Sequence, residues 1–589
     1  MIEQSPNINY LRANLIIEEF TRLGAGPFVI SPGSRNSPLV MAAAANPLAK
    51  TVIHYDERGA AFYALGYGKA QRKPVVLICT SGTATANYYP AVVEAYMSGT
   101  PLIILTADRP AKLRNTGEFQ TIDQRELYGR YVRGFIDMEI EIADLNAIAI
   151  LTSVDEMYYR SMGTPNGPVH INCQFDEPLH PVWDGYVNGD LLAEIDGWLS
   201  GSAPFTTQPD ISIDQASLAD CRDILERAKR PLIAIGYRDW GNEHSEAIDR
   251  LCGYGIPVLA DIGSGLQLFD DSAGSRIINY DLILRNEKAI TKLKPDIVIH
   301  IGGLMVSKSL NVFMQSPGVE VIRITERDDL NLHPKLRGKI VRSTITDTVN
   351  VISQHIKPVD EGYLELWREL DGIVDDKLRV YHESADIENE ATIARTLLSD
   401  IPDESALFLG NSMPVRDAGI SGVRRNSGIV VCINRGAAGI DGNIATAVGF
   451  AEGLNRPTAA LIGDLTLFHD LNSLKLASES SVPIVIVVIN NGGGGIFSFL
   501  PIAEDNPNFE KYFAASHSLF FGKVSEMFGL EYESPSTLKD FRTTLKRVFE
   551  SDSRILIELK TDRNANYQSR NNLFRQISQA LDSAIAQHE

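Results

Sequence analysis

Residues 460–495, ALIGDLTLFHDLNSLKLASESSVPIVIVVINNGGGG, decide how this chain is read. An apolar strand over 458–462 ends in Gly463-Asp464. A helix-like segment follows, and a second apolar strand over 483–489 ends in Asn490-Asn491-Gly492. In a parallel α/β sheet, ligands collect beyond the carboxyl ends of the strands. The stretch therefore sets a carboxylate and an amide oxygen at neighbouring strand ends. Two hard oxygen donors beside a glycine-rich turn suit Mg²⁺ holding a diphosphate. The backbone carbonyl of Gly493 is the expected third protein ligand, with diphosphate and water completing about six oxygens. An isolated Gly-Asp or Asn-Asn-Gly is ordinarily only a strand end or a turn. Here the two stand one helical segment apart, and the remaining glycines let backbone approach the bound group closely.

Outward from this stretch the same grammar repeats. PFVISPGS, VVLICTSG, PLIILTADRP, PLIAIGYR, IPVLADIG, DIVIHIGG, VEVIRIT, ALFLGNS, IVVCINRG and RILIELK are short, rich in Val and Ile, and end in polar or small residues. Continuous rather than alternating apolarity predicts strands buried on both faces, in parallel sheets covered by helices. A first helix is expected from about Asn7 to Leu23, with Leu11, Leu15, Ile16 and Phe20 on one face and Gly24 as its stop. SGSAPFTTQPD (200–210) has the composition of a linker. The charged stretch 357–389, around Leu364, Trp367 and Leu370, reads as a connector helix. The fold expected is α/β: three doubly wound domains with mainly parallel sheets, near 1–190, 205–355 and 375–589. At 589 residues the chain is too long for one core.

Composition narrows the function. The chain is 44% hydrophobic and 22% charged with a net charge of −20, which speaks against nonspecific nucleic-acid binding. Anionic small substrates then need locally clustered arginines. Cys79, Cys173, Cys221, Cys252 and Cys432 are scattered with no CxxC pair, so a reducing cytoplasm is the expected compartment. The polar start MIEQSPNINYLRANLIIEEF is unlike a signal peptide, and no apolar run suits membrane insertion.

A second carboxylate matters. HYDERGAAFYALGYGKA (54–70) places Glu57 between a short strand and a small-residue helix, and SGTATAN (81–87) follows the next strand. Alone, Glu57 reads as a surface carboxylate at a helix start. Gly66 and Gly68 imitate part of a dinucleotide fingerprint, but no third glycine or downstream acidic residue completes it. Close helix packing is the preferred reading. His469 and Asp470 lie near the metal turn, where a helix-start role is as good an account as a ligand role.

The Gly-Asp…Asn-Asn spacing resembles that of thiamine-diphosphate enzymes. The blocks SPGSRNSPL (31–39), DERG (56–59), TADRP (106–110), GNSMPVR (410–416), NRGAAGIDG (434–442) and GDLTLFHDLNSL through NNGGGGIFSFLP resemble, more narrowly, the 2-succinyl-5-enolpyruvyl-6-hydroxy-3-cyclohexene-1-carboxylate synthases. The resemblance covers both outer domains in order, while the central one matches mainly in pattern. It implies an N-terminal pyrimidine-binding domain and a C-terminal diphosphate-binding domain. It also implies a homodimer or homotetramer with sites between subunits, and thiamine diphosphate with Mg²⁺, or Mn²⁺ in its place. The implied reaction decarboxylates 2-oxoglutarate and adds the resulting succinyl carbanion to isochorismate, in menaquinone biosynthesis.

Glu57 then becomes the catalytic carboxyl beside N1′ of the aminopyrimidine, a buried one by the logic of that chemistry, and Asp464, Asn491 and Gly493 the metal ligands. Ser412, Ile440, Ile496 and Phe497 are implied at the cofactor, Ile440 as the apolar prop that bends it. Ile496, Phe497 and Leu500 are implied as an apolar wall, for which plain core packing is the alternative. Ser34, Arg35, Arg109, Gln120, Lys308, Ser412, Arg416, Arg435 and Leu500 are implied at the substrates, whose two carboxylates suit the planar guanidinium fork. Two positions depart from the family: Ser309 follows Lys308 where a second cation is expected, and Phe119 replaces a polar residue before Gln120. Other thiamine enzymes, such as 2-oxoacid decarboxylases or acetohydroxyacid synthases, and a nucleotide-binding protein built on the central domain remain the alternatives.

Overall fold

Two glycine-lined helices pack without room for a single added methyl group, and they anchor the first of two compact units. The computed structural model of the chain describes residues 2–139, 146–183, 189–206, 226–237, 250–269, 274–327, 329, 332–343, 346–347, 349–350, 361–425 and 429–588. The first unit comprises Met1–Ile211, Gly436–Asn455 and Asp470–Glu479; the second comprises Ser212–Arg435, Arg456–His469 and Ser480–Glu589.

In the first unit, strands β1 (Phe28–Ile30), β2 (Thr51–Ile53), β3 (Val75–Cys79), β4 (Leu102–Asp108), β5 (Phe135–Met138) and β6 (Pro168–Gln174) form one sheet in the order β2-β1-β3-β4-β6-β5. Every pairing is parallel. β1, β3 and β4 are buried along their whole length, which is why their sequences run apolar without alternation.

The helix Ile8–Arg22 begins where Asn7 accepts the Tyr10 amide at 3.2 Å and ends before Gly24, whose φ of +82° suits glycine. Burial reaches well beyond the expected apolar face. Asn9, Arg12 and Glu19 are buried too, and each is bonded: Arg12 donates to the Gln174 carbonyl at 2.8 Å, and Glu19 accepts the Trp198 indole N–H at 2.6 Å. The expected linker is tied down where it begins, since Glu19 also accepts the Phe205 amide at 2.6 Å. Residues 207–210 lie outside those described.

The helix Glu57–Gln71 lies against the helix Asn443–Leu454. A Cβ on Gly66 would meet the Thr446 carbonyl oxygen at 2.0 Å, and one on Gly449 the Tyr63 carbonyl oxygen at 2.0 Å. Gly66 is thus a packing residue, as the sequence suggests. Asp470 caps the second of these helices by accepting the Ile444 and Ala445 amides at 2.8 and 3.2 Å. It is buried, and its work is structural.

Among the described residues the second unit holds two sheets. Strands β7 (Pro231–Ile235), β8 (Val258–Ala260), β9 (Ile297–Ile301), β10 (Glu320–Thr325) and β11 (Arg337–Arg342) are ordered β11-β10-β9-β7-β8. Strands β12 (Ala406–Leu409), β13 (Val430–Ile433), β14 (Thr458–Gly463), β15 (Ile484–Asn490), β16 (Glu531–Glu533) and β17 (Arg554–Lys560) are ordered β13-β12-β14-β15-β17-β16. All pairings are again parallel. Counted from the first strand of each, the β12–β17 sheet repeats the order of the β1–β6 sheet.

The charged stretch before it contains the helix Glu361–Glu383. Trp367 is fully buried there, edge-on to Phe313 at 6.2 Å. No helix among the described residues is long and apolar enough to cross a membrane. Cys79, Cys173, Cys252 and Cys432 are buried.

Candidate active site

β14 and β15 pair in register with Gly463 opposite Ile489, so Asp464 and Asn491 emerge beyond the same edge of the sheet. Asp464 is buried. Its Oδ1 accepts the Leu465 amide at 2.6 Å, its Oδ2 accepts the Gly493 amide at 3.0 Å, and His517 Nε2 stands 3.3 Å from Oδ2. Burial pushes the Asp464 carboxyl upward, against the pull of His517 and these amides. The turn needs its glycines: Gly492 has φ +73° and Gly493 φ +147°, and a Cβ on Gly493 would lie 2.4 Å from the Ala514 carbonyl oxygen.

Asn491 donates from Nδ2 to Glu390 Oε1 at 2.8 Å, while its Oδ1 is buried without a hydrogen-bond partner. A buried acceptor left unpaired costs free energy unless something outside the protein completes it. One unpaired amide oxygen and one desolvated carboxylate, which also takes the Gly493 amide, fit a hard divalent cation.

In the same unit lies a cavity of about 260 Å³, which Asp464, Asn491 and Gly493 do not line. Arg416, Lys308, Ile496 and Leu500 all line it, with Phe499 and Arg570 among the rest. Ile496 and Leu500 thus face a common space. Phe497 turns aside onto Phe513, edge to face at 6.3 Å, and Phe499 supplies the aromatic wall. Arg416 is half-buried, and desolvation together with the nearby Arg435 guanidinium pulls its pKa down. It donates to the carbonyl of Ser412, which is held at φ +73°, a left-handed conformation uncommon outside glycine. Arg435 reaches Asn411 Oδ1 at 3.1 Å. Beyond β12, therefore, a partly desolvated Arg416 stands close to a second guanidinium, Arg435, a setting that favours anions.

The first unit gathers a second set. Arg109 follows β4, is buried, and donates to Ser81 Oγ at 2.7 Å and to the Gln120 carbonyl at 2.8 Å. Gln120 has φ +54° and returns a bond from Nε2 to the Ser81 carbonyl at 2.9 Å. Arg35 donates to the Phe175 carbonyl at 3.0 Å and lies 3.3 Å from Glu177. Burial and the adjacent Arg109 charge lower its pKa. Ser34 is exposed beside it, and Phe119 is 79% exposed.

Glu57 opens the helix Glu57–Gln71, where Asp56 caps the Arg58 amide at 3.0 Å. It is half-buried rather than buried, because the first turn leaves its carboxylate at the helix end, where Asn87 Nδ2 approaches it at 3.4 Å. Ile440 sits in the loop before the helix Asn443–Leu454.

Sequence reasoning passed over the supports of these groups. Gln124 accepts the Gly82 amide at 2.8 Å and donates to Asn172 Oδ1 at 2.9 Å, tying the SGTATAN loop to the sheet. Glu390 escaped because a glutamate opening a helix is commonplace, and only the fold brings it to Asn491. Burial and the neighbouring Asp417 carboxylate raise its pKa.

Residues 12–127 match the thiamine pyrophosphate enzyme N-terminal TPP binding domain, residues 189–409 the middle domain of thiamine pyrophosphate enzymes, and residues 420–559 the C-terminal TPP binding domain. Curated relatives named 2-succinyl-5-enolpyruvyl-6-hydroxy-3-cyclohexene-1-carboxylate synthase include the Chlorobium limicola protein, 37% identical over 583 residues (97% of this chain and 98% of the relative). The Chlorobaculum parvum protein is 36% identical over 566 residues, 95% of each chain.

The chain belongs to this synthase family.

A third member, from Bacillus velezensis, is 36% identical over 576 residues, 95% of this chain and 96% of its own. As one of these synthases, the chain is a thiamine-diphosphate enzyme, and the N-terminal, middle and C-terminal domain matches follow one another along it.

Proposed function

We propose that the chain decarboxylates 2-oxoglutarate and joins the succinyl carbanion to isochorismate by conjugate addition. The domain near 1–190 would bind the pyrimidine half of the cofactor and that near 375–589 its diphosphate. Asp464, Asn491 and the Gly493 carbonyl would hold Mg²⁺, and the single observation that carries this reading is the buried, unpartnered Oδ1 of Asn491. Bound thiamine diphosphate supplies the electron sink for loss of CO₂ and the carbon nucleophile for the new bond.

The protein's own part is placement and charge. Glu57, in a site completed by a second subunit of a homodimer or homotetramer, would hold a proton at N1′ of the pyrimidine. Arg416, Arg435 and Lys308, with Arg35 and Arg109, would bind the carboxylates of both substrates. Guanidiniums already stripped of water gain most from a bidentate anion. Ile496, Phe499 and Leu500 would keep water from the reacting carbon, which favours loss of CO₂ because charge is neutralised as the carboxylate leaves.

Incubation with thiamine diphosphate, Mg²⁺, 2-oxoglutarate and isochorismate should release CO₂ and form one adduct. CO₂ released equally well from pyruvate, with no isochorismate adduct, would overturn the assignment.

A further inference from the structure

We propose that Glu390 is a positioning residue that fixes which end of the Asn491 amide faces the metal. The inference rests on the metal-site reading above and deepens it. An asparagine side chain presents an acceptor at one end and two donors at the other, and a half-turn about its last bond exchanges them. Only the oxygen can ligate a cation. Glu390 is 1% exposed, and its Oε1 is an acceptor on two sides: it takes the Asn491 Nδ2 proton at 2.8 Å and a second hydrogen bond from the Thr561 hydroxyl. Turned the other way, Asn491 would press its oxygen against that acceptor and send its NH₂ toward the cation. Both contacts are repulsive, so the ligating orientation is set before any metal arrives.

Glu390 is itself held. Thr561 Oγ1 donates to the same Oε1 at 3.1 Å, Asn566 Oδ1 accepts the Glu390 amide at 3.3 Å, and Asn389 caps the helix Glu390–Asp400 that starts there. Partners of this kind, one bond behind a ligand, orient it, and their loss typically costs about 10–100-fold in metal affinity.

The test is calorimetric binding of thiamine diphosphate to the full-length protein over a Mg²⁺ series, with no substrate present. Glu390→Ala should raise the Mg²⁺ concentration that supports half-maximal binding by about 10–100-fold. Glu390→Gln keeps an acceptor oxygen in the same place and should stay near the wild type. Unchanged Mg²⁺ demand in Glu390→Ala overturns the proposal, and so does a Gln variant as weak as the Ala one, which would make charge rather than orientation the cause. Should the Ala variant fail to fold, Glu390→Asp withdraws the acceptor by one methylene and is measured in the same way; wild-type Mg²⁺ demand there also overturns it. Cofactor binding by the wild type with no Mg²⁺ dependence would bring down the metal site itself, an outcome distinct from failure of the Glu390 role alone.

Discussion

Gly66→Ala tests the contact on which the first unit is built. The new Cβ would sit 2.0 Å from the backbone oxygen of Thr446, with the Phe450 amide nitrogen 2.9 Å away. Neither atom can swing aside as a side chain would. Relief requires the helices Glu57–Gln71 and Asn443–Leu454 to separate by about 1 Å, and a gap of that order forfeits roughly a quarter to a half of the dispersion attraction between facing atoms. Overpacking of this kind costs about 1–3 kcal/mol, and the backbone obstacle argues for the upper end. Alanine returns about 1 kcal/mol of helix propensity over glycine. The net expectation is a loss of about 2 kcal/mol, read as a lower urea midpoint. Gly449→Ala meets the Tyr63 carbonyl at the same 2.0 Å and should cost a similar amount. The double variant should cost clearly less than the sum, because helices already forced apart admit the second methyl more easily. Two neutral single variants, or strict additivity, would refute the close-packing argument.

Glu57→Gln should leave cofactor binding nearly intact while lowering kcat by about 10²–10⁴-fold, the range for loss of a proton-handling group; near-normal turnover removes Glu57 from that role. Asp464→Ala should instead abolish the Mg²⁺-dependent part of cofactor binding, seen by titration calorimetry. Buried His170 has its pKa pushed down to about 3 by desolvation. It is neutral in the folded protein, so its contribution to stability is complete above about pH 6.5 and falls by about 1.4 kcal/mol per pH unit as pH drops from there toward 3. His170→Asn should therefore lose stability less steeply than the wild type between pH 6 and 5, by urea midpoints; parallel slopes would contradict the shift. Trp367→Ala empties a fully buried site beside Phe313 and should cost about 3–5 kcal/mol.

The interior of the fold was open to reading because its strands are covered on both faces and so run apolar. Each strand expected on that ground is present. β5, β11 and β16 escaped because they are edge strands, short or half-exposed, with little burial to mark them. β6 escaped for a different reason. PVHINCQ is wholly buried, yet His170, Asn172 and Gln174 interrupt its apolar pattern. Those side chains bond to partners far away in sequence, with His170 Nδ1 alone among their polar atoms left buried without one. His170 Nε2 lies 2.9 Å from Thr106 Oγ1, and Asn172 donates to Asp108 at 2.9 Å and to Asp137 at 2.8 Å. Periodicity cannot see such pairings.

The site divides along the same line. Asp464, Asn491 and Gly493 were legible because they punctuate two strands. Gln124 and Glu390 were not, because their meaning lies in what they touch. The arginines stood out only through the blocks that resemble the family, since a lone arginine ordinarily marks nothing more than a salt bridge.

That two of the three sheets among the described residues share one strand order has a consequence for how this protein changes over time. In one copy the loops after the first, third and fourth strands carry Arg35, Ser81 and Arg109; in the other the same three loops carry Ser412, Asp464 and Asn491. A single blueprint has been written on twice at matching places, once with cations and hydroxyls and once with oxygen donors. New specificity can be drafted at those rims in one copy while the other goes on unaltered.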